Sequence, residues 1–371
     1  MKRERGIIQI CITGATGQVG SHVVDYLLHQ SEIPIGNPGD IICLVRNPSK
    51  ADFLQKLGVT IIQGDLDDIG LLHRIFQEHS IEYVFHLAAT ISVYASYDEM
   101  YRTNVVGTRN LLDAFCSSSA RCFIHTSSII VYDHFHNPKS HQTYEFTEDS
   151  PLGSKIQGKD IPYAVTKRMA EELVKEYAHN HPKKSILITR LGPIIGKGDR
   201  QMIPSLAKTL TFPVPKLVNH GEGQISLTAP LDIARAQVFL VKNGNQYSGH
   251  VFNVAHELWN FRQLFEIVAE YYNKPPPTIS LPLWIFQIVK PLLKLIHYLF
   301  KQNIIIQTLF SDSALSYMEF TYNYNSAKLI QLGFSYQVPI RESILEGLRG
   351  LDPERKIVKK KNLRCSAPDP Q

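Results

Sequence analysis

IIQICITGATGQVG, residues 7–20, is a short Ile-rich run that breaks into a turn with glycine at positions 14, 17 and 20. The apolar run suits a strand buried on both faces, and the segment SHVVDYLLHQ that follows reads as a helix. A glycine turn between a strand and a helix is the context that gives such a motif weight. Bare glycine lets the backbone approach a pyrophosphate, and the first amides of the helix offer donors and a favourable dipole. Gly14, Thr16, Gly17, Gln18 and Val19 are therefore the expected phosphate cradle. The G-x-x-G-x-x-G spacing departs from the G-x-G-x-x-G dinucleotide fingerprint.

Working outward, strands are expected at 41–45, 59–62, 83–89, 122–128 and 185–196, with helices near 68–78 and 98–116. Strands and helices alternating at this spacing imply right-handed crossovers and an α/β fold, a Rossmann-type doubly wound parallel sheet. Beyond residue 197 the alternation fades and proline becomes frequent. The expected organisation is a dinucleotide-binding domain over 1–197, a smaller substrate-binding lobe over 198–352 and a basic tail over 353–371. Ligands in such folds lie at the carboxyl ends of the strands.

The second strand ends in Leu44-Val45-Arg46-Asn47, without the acid that would accept from a ribose 2′-hydroxyl. A guanidinium suits a 2′-phosphate, so Arg46 favours NADP, with NAD the other candidate. Asp65 and Leu66, expected to close the third strand, would flank the adenine. Ala88 and Ala89, expected to close the fourth, are small enough to let a cofactor pass.

The segment Tyr163-Ala-Val-Thr-Lys167 lies in a helix-forming run, IPYAVTKRMAEELVKEYA. A spacing of four puts phenol and ammonium on one face, about one turn apart. The positive charge is expected to draw the tyrosine, which titrates near ~10, toward working pH. Ser128, closing the strand CFIHTSS, would hold the substrate oxygen.

These pieces together resemble the extended short-chain dehydrogenase/reductase family. The likeness is carried by TGATGQVG (13–20), GDL (64–66), HLAA (86–89), NVVGT (104–108), TSS (126–128), YAVTK (163–167) and RLGPIIGKGD (190–199), and it runs from about residue 7 to about 350. Within the family the chain is most similar to the 3β-hydroxysteroid and sterol-4-carboxylate 3-dehydrogenase branch, through ISVYASYDEMYRTNVVGTRNLLDAF, GKGDRQMIPSL and YNYNSAKLIQLGF. The resemblance implies Ser128, Tyr163 and Lys167 as the catalytic set, Asn104 in support, Lys167 on the ribose, and Pro193 and Ile194 beside the nicotinamide. Two segments depart from that branch: Val45-Arg46, where an acid is usual, and Thr228-Ala229-Pro230-Leu231-Asp232.

Residues 281–301, LPLWIFQIVKPLLKLIHYLFK, are mostly apolar, with Gln287, Lys290, Lys294, His297 and Lys301 in one stripe. Frequent lysines and Pro291 make it a poor membrane span. It is expected to be a lid over a greasy pocket, a core or homodimer helix, or a peripheral contact with a membrane surface. The basic residues from Arg355 to Arg364 could add attraction to anionic lipid.

With 39 basic and 34 acidic residues the net charge of +5 is too small to argue for nucleic acid. The five cysteines have no metal-ligand spacing, so no metal is expected. The start, MKRERG, lacks an apolar secretory segment, and the expected location is cytoplasmic, with the membrane surface as an alternative. The function expected is hydride transfer between a nicotinamide and a secondary alcohol or ketone of a sterol-like apolar substrate. A nucleotide-sugar epimerase or dehydratase, or a dinucleotide-binding redox sensor, are the competing readings.

Overall fold

The computed structural model describes residues 8–92, 94–134, 143–153, 161–211, 216–300, 303, 306 and 312–353. Strands β1 (Gln9–Thr13), β2 (Ile41–Val45), β3 (Thr60–Gln63), β4 (Ile81–His86) and β5 (Cys122–Ser128) follow in order, with β6 (Thr143–Phe146) and β7 (Ser185–Leu191) after them. Later come β8 (Leu217–Val218), β9 (Gln224–Leu227), β10 (Val251–Val254), β11 (Glu257–Asn260), β12 (Ser280–Leu281) and β13 (Thr321–Tyr324). The main sheet is parallel throughout, in the order β10-β7-β5-β4-β1-β2-β3. β2 and β7 are buried at every residue, as continuous apolar runs in a two-sided parallel sheet should be.

Helices α1 (Gln18–His29), α2 (Asp52–Lys56), α3 (Ile69–Glu78), α4 (Tyr97–Tyr101), α5 (Gly107–Cys116), α6 (Pro162–Asn180), α7 (Met202–Thr209), α8 (Pro230–Asn243), α9 (Phe261–Tyr271) and α10 (Leu283–Leu299) follow the chain. α1 and α8 cover one face of the main sheet, burying Val23, Val24, Ile233 and Val241 against Ile10, Ile12 and Cys43. Residues of α3, α5 and α6 cover the other, through Leu72, Leu111, Phe115 and Val174. β11-β9-β13-β6 form a second sheet, whose core joins Phe146, Ile225 and Tyr322 to Leu264 and Phe265 of α9.

The expected boundary at 197 is crossed. β10 and α8, both beyond it, complete the main sheet and its cover, while β6, from before it, joins the lobe's sheet. The tail from 354 onward lies outside the described residues.

Candidate active site

The β1–α1 turn is built as the sequence requires. Gly14 sits at φ +77°, and a Cβ there would come within 2.6 Å of the Ala88 amide nitrogen. A Cβ on Gly20 would lie 2.2 Å from the Gly14 carbonyl oxygen, so glycine lets α1 start directly on the turn. Gly17 caps α1 without a side-chain hydrogen bond, leaving the first amides of a 12-residue helix to a ligand. This turn fits a pyrophosphate. The Thr13 hydroxyl accepts from the Ala88 amide at 3.3 Å, tying the ends of β1 and β4 together.

β4 ends earlier than expected, at His86, and β3 ends at Gln63, short of the Asp65-Leu66 pair expected to close it. Asp65, Leu66, Ala88 and Ala89 therefore stand on the loops beyond the strand ends, because the backbone turns out once pairing with β2 and β1 stops. β7 likewise ends at Leu191, and Pro193 and Ile194 lie past it, held by the Thr228 amide donating to the Pro193 carbonyl at 3.0 Å. Arg46 is exposed at the end of β2, with its Nη1 4.0 Å from Asp65 Oδ2.

The catalytic candidates converge where β5 meets α6. Pro162 opens α6 at a position where its missing amide costs nothing. Three consecutive residues of β5 meet three positions of α6 spaced by four. The Ser128 hydroxyl hydrogen-bonds the Tyr163 phenol, Lys167 Nζ donates to the Thr126 carbonyl, and Ser127 Oγ donates to Glu171 Oε2 at 2.8 Å. The Ile130 amide donates to Ser128 Oγ at 3.3 Å, fixing the hydroxyl at the end of β5.

Burial pushes the Tyr163 phenol above its ordinary value, and the Ser128 bond works against that rise. The shift is upward, opposite in direction to the pull expected from the Lys167 charge. Lys167 is 3% exposed, and burial lowers it to about 8 while Glu171 opposes the drop.

Asn104 lies in a π-helical turn, Arg102–Val106, between α4 and α5. It accepts from the Thr90 amide at 2.7 Å and donates to the Thr90 carbonyl and to Thr166 Oγ1, both at 3.1 Å. It thereby ties the loop after β4 to the catalytic helix, as a positioning residue. Behind it, buried His86 bridges Thr13 Oγ1 at 2.7 Å and Thr108 Oγ1 at 2.8 Å.

Sequence reasoning missed the ion network under the catalytic pair. Glu171, with no exposed surface, accepts from Arg190 Nη2 at 2.6 Å and Nε at 3.0 Å, and pairs with Lys175 at 2.8 Å. An arginine inside the apolar run ILITRL was the available signal, since a buried guanidinium requires an anionic partner. Among the described residues no cluster of three metal-ligating side chains occurs. A groove of about 400 Å³ lined by Asn219, His220, Trp284 and Gln287 lies beside α10 and contains none of the catalytic candidates, so the chemistry of the β5–α6 edge locates the site.

The family model described as NAD dependent epimerase/dehydratase family matches residues 10–255. The chain belongs to this family. Among curated relatives of the epimerase/dehydratase chain is a UDP-glucose 4-epimerase of Erwinia amylovora, 31% identical over 207 residues, which are 53% of this chain and 56% of that protein. The chain thus spans little more than half the length of that relative. A putative dihydroflavonol 4-reductase of Synechocystis is 26% identical over 281 residues, 74% of this chain and 75% of that protein. Among solved structures, a dTDP-glucose 4,6-dehydratase of Bacillus anthracis in complex with NAD superposes with a TM-score of 0.68 at 17% identity, covering 94% of this chain and 97% of that one. That likeness establishes the Rossmann-type fold of this family member.

Proposed function

We propose that this family member is an NADP(H)-dependent oxidoreductase acting on a secondary alcohol or ketone of a bulky apolar, sterol-like substrate. The observation that carries the reading is the end of β2, where exposed Arg46 stands without a neighbouring acid on that strand. A guanidinium there suits a 2′-phosphate, and net reduction or oxidation needs a cofactor that exchanges, whereas an epimerase returns the hydride to its own substrate. The reductase relative also matches three quarters of both chains, against about half for the epimerase.

In this reading Gly14, Thr16, Gly17, Gln18 and Val19 hold the pyrophosphate, and Arg46 holds the 2′-phosphate. Asp65 and Leu66 border the adenine, Ala88 and Ala89 leave a path, and Pro193 and Ile194 border the nicotinamide. The bound dinucleotide supplies hydride chemistry. Ser128 holds the substrate oxygen, Tyr163 gives or takes its proton, and Lys167 binds the ribose.

The epimerase or dehydratase reading is favoured by one observation, the 31% identity to a UDP-glucose 4-epimerase over 207 residues. A panel of sterols, flavonoid-type ketones and UDP-sugars, run with both cofactors, separates the two. Net formation or loss of reduced nicotinamide with an apolar substrate and NADP(H) is expected. Conversion of a UDP-sugar without net change in the cofactor would replace this proposal with the second reading.

A further inference from the structure

Parallel pairing of β2 with β3 decides what stands opposite Arg46. Val45 is level with Gln63 across that pair, and the Gly64 amide donates to the Val45 carbonyl at 3.1 Å. The first residues beyond the two strands are therefore neighbours, and Arg46 Nη1 lies 4.0 Å from Asp65 Oδ2. The two side chains are not equally free. Asp65 Oδ1 accepts from the Leu66 amide at 2.7 Å, and the Asp65 carbonyl accepts from the Asp68 amide at 3.2 Å. The Leu66 carbonyl accepts from Asn110 Nδ2 at 2.9 Å, and a Cβ on Gly107 would come within 2.8 Å of Leu66 Cβ. This loop is thus clamped to the start of α5, and the carboxylate is held by its own loop. Arg46, 64% exposed by side chain, ends a long chain of methylenes in water. The next acid, Asp67, is already paired with Arg102 of the π-helical turn. Arg46 and Asp65 are the pair that a ligand at the end of β2 would meet.

We propose that Asp65 is a specificity-determining residue for the adenosine ribose, opposing at Arg46 the 2′-phosphate that the arginine attracts. The inference rests on the reading of Arg46 as the phosphate contact and deepens it. A 2′-hydroxyl adds no charge beside the neutral pair, and the carboxylate offers it an acceptor. A 2′-phosphate must instead share the guanidinium with a carboxylate that its loop keeps in place. One hydrogen bond of about 2.8 Å added to the 4.0 Å gap sets the separation of the two anions at roughly 7 Å. Two like charges about 7 Å apart in water shift an equilibrium roughly threefold, and a phosphate carrying about −1.5 to −2 raises this to about fivefold. Asp65 is 44% exposed, so salt screens the effect. Asp65 thereby narrows the NADP preference that Arg46 creates and keeps NAD within reach of the same site.

Calorimetric titration of the full chain with NADP and with NAD tests this without turnover, since the two ligands differ only in the 2′-phosphate. Asp65→Asn keeps an oxygen for the Leu66 amide and removes the charge. It should raise NADP affinity about fivefold at low salt, change NAD affinity by less than about twofold, and lose most of the gain at about 0.5 M salt. Asp65→Ser should act in the same direction. A loss of stability in either variant moves both affinities alike and leaves their ratio unchanged. Arg46→Gln, measured beside them, should abolish the NADP preference. A preference that persists in Arg46→Gln would overturn the phosphate reading and this inference with it. A preference lost in Arg46→Gln but unchanged in both Asp65 variants would leave that reading standing and overturn the role of Asp65. Equal changes in the two affinities would also overturn it, reducing Asp65 to a support of the loop.

Discussion

Replacing Glu171 with glutamine keeps the shape of the side chain and removes the charge that holds α6 to β5 and β7. Arg190, 1% exposed, would then keep a buried guanidinium without its anion. Removing one partner of a buried ion pair costs about 3–5 kcal/mol. Arg190 retains the Glu148 carbonyl at 3.0 Å and the Tyr132 ring 4.6 Å from its guanidinium carbon. Lys175 is 37% exposed and turns to water. The lower end, about 3 kcal/mol, is therefore expected for Glu171→Gln. With a urea slope near 3 kcal/mol/M, the unfolding midpoint should fall by about 1 M at unchanged slope. Glu171→Leu combined with Arg190→Met removes both charges and should recover most of that loss, giving a large coupling in the double-mutant cycle. The site should respond as well. Glu171 supports the protonated form of Lys167, so in Glu171→Gln the alkaline loss of cofactor binding should begin at lower pH. A midpoint within about 0.3 M of the parent in the single variant, or a double variant no better than the single, would refute this account of the network.

Tyr163→Phe should reduce kcat at least ~10²-fold, the typical contribution of a positioned acid–base group, while calorimetry finds cofactor affinity nearly intact. Parent-like turnover would remove Tyr163 from the mechanism. Arg46→Asp should shift the ratio of NADP to NAD affinity by roughly 10–100-fold toward NAD, from losing a charge-assisted contact of about 1.5–3 kcal/mol. Tighter binding of NAD by the unmodified chain would contradict the reading of β2. Stability should rise from pH 7 to 9 and the rise should vanish in Lys167→Met. The folded chain gives up this proton near 8 while the unfolded chain keeps it to about 10.5, so the unfolded state holds more protons in between. Buried Cys11 and Cys122, each raised to about 12, act in the opposite sense above about pH 9, where the unfolded thiols ionise. Denaturant midpoints at pH 7, 8 and 9 for the two proteins test the sign.

The parts that were legible were those where local chemistry and global fold demand the same residue. Gly14 has to be glycine both for its φ and for the approach of Ala88, and it follows a strand whose burial leaves a continuous apolar run. The Tyr163–Lys167 spacing is set by the helix alone and needs no distant partner to be read. Strands β6, β9, β10 and β13, four residues each, were not placed, because so short a run carries too little period to separate it from loop. Their positions follow from pairings across 60 or more residues, such as β10 with β7 and β13 with β6. Asn104 was legible as a support, yet its role as a clamp between Thr90 and Thr166 depends on a π-helical turn that composition does not announce.

α10 marks the limit of polarity reading most sharply. Period and composition identify an amphipathic helix, and the usual inference turns its polar stripe to water. That inference rests on the polar side having no better partner than solvent. Here one buried carboxylate, Glu319, takes both Gln287 and Lys290, and a hydrogen bond to a charged group contributes more than one between neutral partners. Leu283 and Phe286 then gain burial on the same flank. The sum fixes the helix with its leucines outward, so it does not close that apolar face over a substrate in this structure as a lid would. A side chain some thirty residues away in sequence decides which face of the helix meets water. Removing it by Glu319→Ala should free α10 to roll, lowering the exposure of Trp284 and shifting its emission to the blue. An emission spectrum unchanged by that substitution would mean that Leu283 and Phe286 hold the helix in place without the carboxylate.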